Sequence, residues 1–291
     1  MMMLSPAFAL LVLLGPAVLK ADRLEHRIGF EAPAHAAGFR AADWEAYAPA
    51  GVRFVDGPER ASLDATQYHA GRHSLRIDYP KGAVGPVQGG HQAAIQLAPA
   101  VQYCLSYWLR FSEGFSWGGS DQGGKLPGLA QGRLCSGGDS CDGSNGFTAR
   151  YMWRENGAAV LYLYHMDKPD RWGEDFALLP GKKPFYFEPG QWTHLEQRVK
   201  INSGENPDGE VQVWVNGTEA LNLRGLRFVT DGSKVDTFYF STFHGGNTPD
   251  WGPLSDGRVW FDDIRIAPNE DCHCLLPCRL LNHRADRRVL A

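Results

Sequence analysis

Apolar and polar positions alternate with a period of two in a series of short runs along the chain. The first are HSLRIDY (73–79), HQAAIQL (91–97) and QYCLSYWLRF (102–111), followed by FTARYMWR (147–154) and VLYLYH (160–165). Later come WTHLEQRVKI (192–201), EVQVWVNG (210–217), VDTFYFSTF (235–243) and RVWFDDIRI (258–266). Gly, Pro, Asn or Asp bounds the runs, and no long stretch carries the 3.6-residue period of an amphipathic helix. Strands at this density without helices between them predict an all-β fold, a jelly-roll sandwich of two antiparallel sheets of the concanavalin-like kind. Asn216-Gly217 after VWV predicts a tight hairpin, and with Thr218 it also spells a glycosylation sequon. The segment from Arg23 to about Asp64 shows no clear period beyond a short candidate strand, Val52 to Val55.

The two ends differ from this pattern. Met1 to Ala21 holds an apolar run, Ala7 to Leu14, then Gly15 and Pro16. That is the layout of a secretory signal peptide without the usual basic start, and it falls short of the roughly 20 apolar residues of a spanning helix. After Pro268 the alternation stops, so residues 22–268 are expected to form one jelly-roll domain and residues 269–291 a loosely ordered, cysteine-containing tail. With 12% aromatic residues and 34 glycines among 291, the composition suits a single turn-rich β domain. A net charge of -4 with no basic stripe argues against nucleic acid as a partner. The expectation is a secreted monomer that leaves the membrane once the leader is removed.

Six cysteines fit an oxidising compartment. Cys135 and Cys141 bracket SGGDS and could close it as a small ring. Cys104, inside an alternating strand, reads as a buried free thiol. Cys272, Cys274 and Cys278 read as tail disulfides, since a zinc knuckle would need a fourth well-spaced ligand.

The chemistry concentrates between Gly123 and Tyr164. Residues i and i+2 of a strand share a face, so Thr148, Arg150 and Met152 lie opposite Phe147, Ala149, Tyr151 and Trp153. The aromatic set belongs to the core, which turns Thr148 and Arg150 outward. Tyr162 and Tyr164 likewise share a face opposite Leu161 and Leu163. Directly opposed residues must share a face, and a two-residue Asn156-Gly157 turn would set Arg150 against Leu163. An odd loop is therefore expected, most simply three residues with a glycine bulge, bringing Arg150 beside Tyr162 or Tyr164. Lys125, in the Gly/Pro-rich GGKLPGL, reads as delivered by a loop.

These residues resemble polysaccharide lyase family 14, the alginate and glucuronan lyases. GGKLPGL, the cysteine-led SGG loop, the Phe-hydroxyl-x-Arg-x-Met-Trp-Arg strand and the Tyr-x-Tyr strand occur in the family's order, and FSTFHGG and RVWFDDIRI are similar to its closing strands. The resemblance runs from about Gly71 to Pro268 and implies a jelly roll. It also implies that Lys125, Arg150, Tyr162 and Tyr164 are catalytic. Thr148 stands where serine is common, and His244 where a second aromatic is expected. Together with Gln92 they are the candidate substrate contacts.

The implied reaction is β-elimination in a 1,4-linked uronic acid polymer. A base removes the C5 proton, the C4 oxygen departs and a double bond forms. The uronate carboxylate must first be neutralised, a task suited to Arg150 and Lys125. Two nearby cations would also favour a tyrosine phenolate as the base. His165 and His244 are weaker candidates for a second base, and Trp117, Trp172 and Trp251 for stacking on sugar rings. No cofactor is required, and Asp262 with Asp263 is the candidate pair for a structural Ca²⁺. The rivals are a lectin-like binding module on the same fold and a glycoside hydrolase. The latter needs two carboxylates flanking the bond, which the adjacent Glu174 and Asp175 would not present on one face.

Overall fold

The computed structural model describes residues 25–31, 38–48, 50–119, 122–246, 248–268 and 272. The expected leader, residues 1–21, and all of the tail except Cys272 lie outside the described residues. The described residues begin with β1 (His26–Ile28), a short α1 (Ala41–Glu45), β2 (Val52–Asp56) and β3 (Ala61–Asp64). β4 (Ser74–Tyr79), a single turn α2 (Gly85–Gln88), β5 (His91–Ala100) and β6 (Gln102–Phe111) follow. Then come β7 (Gly124–Gln131), β8 (Phe147–Trp153), β9 (Ala159–Tyr164) and β10 (Glu174–Ala177). β11 (Trp192–Lys200), β12 (Gly209–Val215), β13 (Thr218–Leu226), β14 (Val235–His244) and β15 (Gly257–Pro268) close the fold.

Two antiparallel sheets result. One runs β13-β12-β11-β6-β15-β4-β3 with β1 added beside β15, and the other runs β10-β9-β8-β7-β14-β5-β2. The alternation explains the layering. Leu105, Tyr107 and Leu109 of β6 and Val259 and Phe261 of β15 face Tyr151 and Trp153 of β8 and Leu161 and Leu163 of β9 in one continuous core. Each such side chain contributes roughly 2 kcal/mol by leaving water. The jelly-roll sandwich is thus as the sequence predicts. Asn216 and Gly217 form the two-residue hairpin turn, both at positive φ (48° and 78°).

Two expectations change. GGKLPGL is strand β7 and not a loop, so Lys125 comes from within the sheet. Its register slips between Leu126 and Gly128, leaving Pro127 as the extra residue. The slip puts Leu126 and Leu129 both into the core and Lys125 on the outward side. Cys104 is not a free thiol but is bonded to Cys272, 168 residues away. Its parity is opposite to Tyr103 and Leu105, which places it on the outer face of β6 beside Trp214. The Cys135–Cys141 ring forms as expected.

Candidate active site

The outward face of the seven-stranded sheet holds a cleft of about 820 Å³ that crosses β10, β9, β8, β7, β14 and β5. Opposed registers build its centre. Arg150 of β8 stands directly opposite Tyr162 of β9, and Thr148 opposite Tyr164. The parity argument is satisfied because the β8–β9 connection is three residues long. The Arg154 N–H donates to the Ala158 carbonyl at 2.8 Å, leaving Glu155–Gly157 between them. Lys125 of β7 is opposite Met152 of β8 and Phe243 of β14.

The resulting contacts bring Lys125, Arg150, Tyr162 and Tyr164 together. Lys125 Nζ lies 2.9 Å from Met152 Sδ and 4.1 Å from the centre of the Tyr162 ring. Arg150 donates to Ser241 Oγ at 3.1 Å and sits 5.0 Å from the Tyr239 ring centre. Its Nε has no partner, and among the described residues no carboxylate lies within ion-pair reach of Arg150 or Lys125. The two phenol oxygens are 3.5 Å apart. Arg154, which reasoning from sequence left without a role, is gripped through both nitrogens by Asp175 at 2.7 and 2.9 Å and lies 5.5 Å from the Tyr162 ring.

Burial sets the protonation states. Desolvation, reinforced by the Arg150 and Arg154 guanidiniums, pushes the Lys125 amine well below the usual lysine range. Desolvation together with Tyr164 pushes the Tyr162 phenol up, against the smaller effects of the Gly173 N–H and Arg154. This reverses the expectation that neighbouring cations would lower a tyrosine here: the ring is too deeply packed for attraction to outweigh lost hydration.

The remaining candidates separate. Gln92 lines the cleft, where its amide donates to Asp56 at 2.6 Å and its carbonyl accepts from the Tyr239 hydroxyl at 2.7 Å. Thr148 faces outward as its parity requires, yet it is fully buried and donates to the Cys135 carbonyl at 3.0 Å. His244 shares the parity of Phe240 and packs inward against Tyr79, Phe115 and Trp153, with burial pushing it down to about 4. Its neighbour Phe243 lines the cleft instead. His165 pairs with Glu174 at 2.9 Å. Trp172 and Trp251 line the cleft, whereas Trp117 packs into the core, 4.7 Å from Phe111. Glu174 and Asp175 both border the cleft, each committed to its own basic partner.

Asp262 and Asp263 do not fit a Ca²⁺ site. Asp262 accepts the N–H groups of His69, Ala70 and Asp263, and Asp263 lies 2.6 Å from His69 Nδ1. Among the described residues no group of three or more His, Cys, Asp or Glu could hold a metal.

The profile of the family described as polysaccharide lyase 14 matches residues 67–264. The chain belongs to this family. It is therefore a polysaccharide lyase. Solved structures agree: the alginate lyase Aly36B is 26% identical with a TM-score of 0.68, over 83% of this chain and 96% of its own. The PL-14 alginate lyase from Aplysia kurodai is 22% identical with a TM-score of 0.67, over 82% and 97%. The endo-β-1,4-glucuronan lyase from Trichoderma reesei, 15% identical with a TM-score of 0.50 over 75% and 91%, shares the fold. No curated protein matches the chain. Among the described residues no helix is long and apolar enough to cross a membrane.

Proposed function

We propose that this lyase is secreted and cleaves a 1,4-linked uronic acid polymer, alginate or glucuronan, by β-elimination. The observation that carries the reading is the convergence of Lys125, Arg150, Tyr162 and Tyr164 on one open cleft. Arg150 is buried without a counter-ion, which costs several kcal/mol unless an anion arrives. A uronate carboxylate is such an anion, and its binding neutralises the charge that keeps the C5 proton from leaving.

Two groups pushed in opposite directions divide the proton work. Lys125, whose amine burial pushes towards its neutral form, takes the C5 proton. Tyr162, held as a phenol, gives its proton to the departing C4 oxygen. The C5–H electron pair becomes the new double bond as the C4–O bond breaks. Gln92, Trp172 and Trp251 contact neighbouring sugars along the cleft. Support for alginate comes from Aly36B, a mutant of which binds an alginate tetrasaccharide, and for glucuronan from the Trichoderma enzyme.

The test is to incubate the protein with alginate, polymannuronate and polyglucuronate and follow the ultraviolet absorbance of an unsaturated uronide. Absorbance on at least one is expected; binding to any of them without absorbance on all three would mean a lectin. Lys125→Arg separates the roles further. It keeps a positive charge but cannot become neutral, so turnover should fall on the order of 100-fold or more, whereas a mere point charge would survive the change.

A further inference from the structure

Two loops outside the sheet each hand one backbone N–H to one tyrosine. The first is the ring closed by Cys135–Cys141, whose Gly138 donates to Tyr164 Oη at 3.1 Å. The second joins β9 to β10, and its Gly173 donates to Tyr162 Oη at 3.1 Å. Both donors are glycines for a steric reason. A Cβ on Gly173 would lie 2.7 Å from the Tyr164 ring and 2.9 Å from Tyr162 Cζ. One on Gly138, at φ +95°, would lie 2.8 Å from Arg171 Nε.

The ring is also fastened from beneath. Thr148 Oγ1 donates to the carbonyl of Cys135 at 3.0 Å. Both half-cystines pack with Met152, Val160, Tyr162 and Tyr164 in a single buried cluster. The disulfide is therefore part of the surface on which the tyrosines rest.

An N–H accepted by a phenol oxygen restricts where that phenol's own proton can point. Tyr164 takes the Gly138 N–H and its oxygen lies 3.5 Å from Tyr162 Oη, so once Tyr162 has given up its own proton Tyr164 is the group left to donate across the pair. Tyr162 Oη already faces the Gly173 N–H. We propose that Gly173 N–H and Tyr164 O–H form a donor pocket for the Tyr162 phenolate, and that the Cys135–Cys141 ring, pinned by Thr148, positions Tyr164 within it. The inference rests on Tyr162 being the proton donor of the β-elimination. In that step the Tyr162 O–H bond breaks, its proton bonds to the leaving oxygen, and the negative charge appears on Oη between the two donors. Lys125 carries the C5 proton as an ammonium. A proton returned from Lys125 to Tyr162 through solvent resets both groups.

Thr148 and the two cysteines are positioning residues, so their test must separate chemistry from binding and from folding. On whichever polymer the wild type degrades, kcat and KM are measured for Cys135→Ser/Cys141→Ser, Thr148→Val and Thr148→Ser, with melting temperatures alongside. The ring-broken pair and Thr148→Val should lose about 100-fold in kcat with KM within about twofold, as expected for a misplaced donor near the reacting atom. Thr148→Ser, which keeps the hydroxyl, should restore wild-type turnover. Unchanged kcat in both Thr148→Val and the serine pair overturns the inference, as does a rise in KM with kcat intact. Should the serine pair not fold, Thr148→Val with its intact disulfide decides. A wild type that yields no unsaturated product on any polymer overturns the underlying reading instead, and the inference with it.

Discussion

On the eight-stranded sheet His194, Trp108 and Asp262 stand side by side across β11, β6 and β15. On the seven-stranded sheet Tyr162, Arg150, Gly128 and Tyr239 stand side by side across β9, β8, β7 and β14. Both rows face away from the shared core, and both contain aromatic and titratable groups. In the first, the large Trp108 fills the middle and the segment carrying His69 covers it, with the imidazole stacked 3.9 Å above the indole. In the second, Gly128 adds no side chain to the middle, where a Cβ would strike the Ala149 carbonyl at 2.0 Å, and the Arg150 guanidinium reaches across towards Tyr239. In the first row Asp262 takes three backbone N–H groups, while in the second the Arg150 guanidinium lacks an anion. A cleft arises where a row of side chains is interrupted and its charges are left for a ligand.

This contrast predicts that changes on the eight-stranded side alter stability without altering turnover, and the reverse at the cleft. The largest effect should follow from Cys104→Ala with Cys272→Ala. Opening a closure of 168 residues costs about 5 kcal/mol in chain entropy. Denaturant midpoints should fall accordingly, while kcat per folded molecule stays the same; a loss of kcat would break the contrast. Next is Lys125→Met, which removes a half-buried amine from its apolar contacts. Turnover should drop by the equivalent of about 3 kcal/mol or more, and the melting temperature should hold or rise.

Glu196 sharpens the comparison through pH. Burial, only partly offset by Arg265, pushes its carboxyl up to about 7 from the ordinary 4.5. Between those values the folded state holds more protons than the unfolded one, so stability falls as pH rises through that window and stays lower above it. Glu196→Gln removes this loss: at pH 8 the variant should be on the order of 2 kcal/mol more stable, and at pH 4 equal to wild type. Melting curves at several pH values check both halves. The smallest effect belongs to His69→Ala, which loses the Trp108 stack and the Asp263 contact. It should cost about 1 kcal/mol and leave kcat and KM unchanged.

Much of this was legible in the order of residues. The nine alternating runs are all strands, and that Arg150 stands beside Tyr162 or Tyr164 followed from counting, the register then choosing Tyr162. β7 was hidden because Gly123, Gly124, Pro127 and Gly128 carry turn chemistry, and only the neighbouring β8 and β14 supply the pairing that makes it a strand. β10 and β13 were missed because edge strands are half exposed and their alternation is diluted by Glu, Asp and Arg. Cys104 and His244 could have been read from parity: Cys104 opposes Tyr103 and Leu105, and His244 shares the face of Phe240. What parity cannot give is depth. It turns Thr148 outward without showing that the disulfide ring covers it, and it sets Tyr162 beside cations without showing that lost hydration outweighs them.

Pro127 carries a consequence for engineering. Its carbonyl accepts the buried Tyr107 hydroxyl of the opposite sheet at 3.0 Å, so the extra residue in β7 is held by the other layer. Deleting Pro127 would bring Leu126 and Gly128 into a regular ladder opposite Tyr151 and Arg150 with Lys125 still outward, but the Tyr107 hydroxyl would lose its acceptor in the facing layer. Transplanting the seven strands onto a different backing layer would lose the same anchor. Lys125 is thus portable only as part of a two-layer unit.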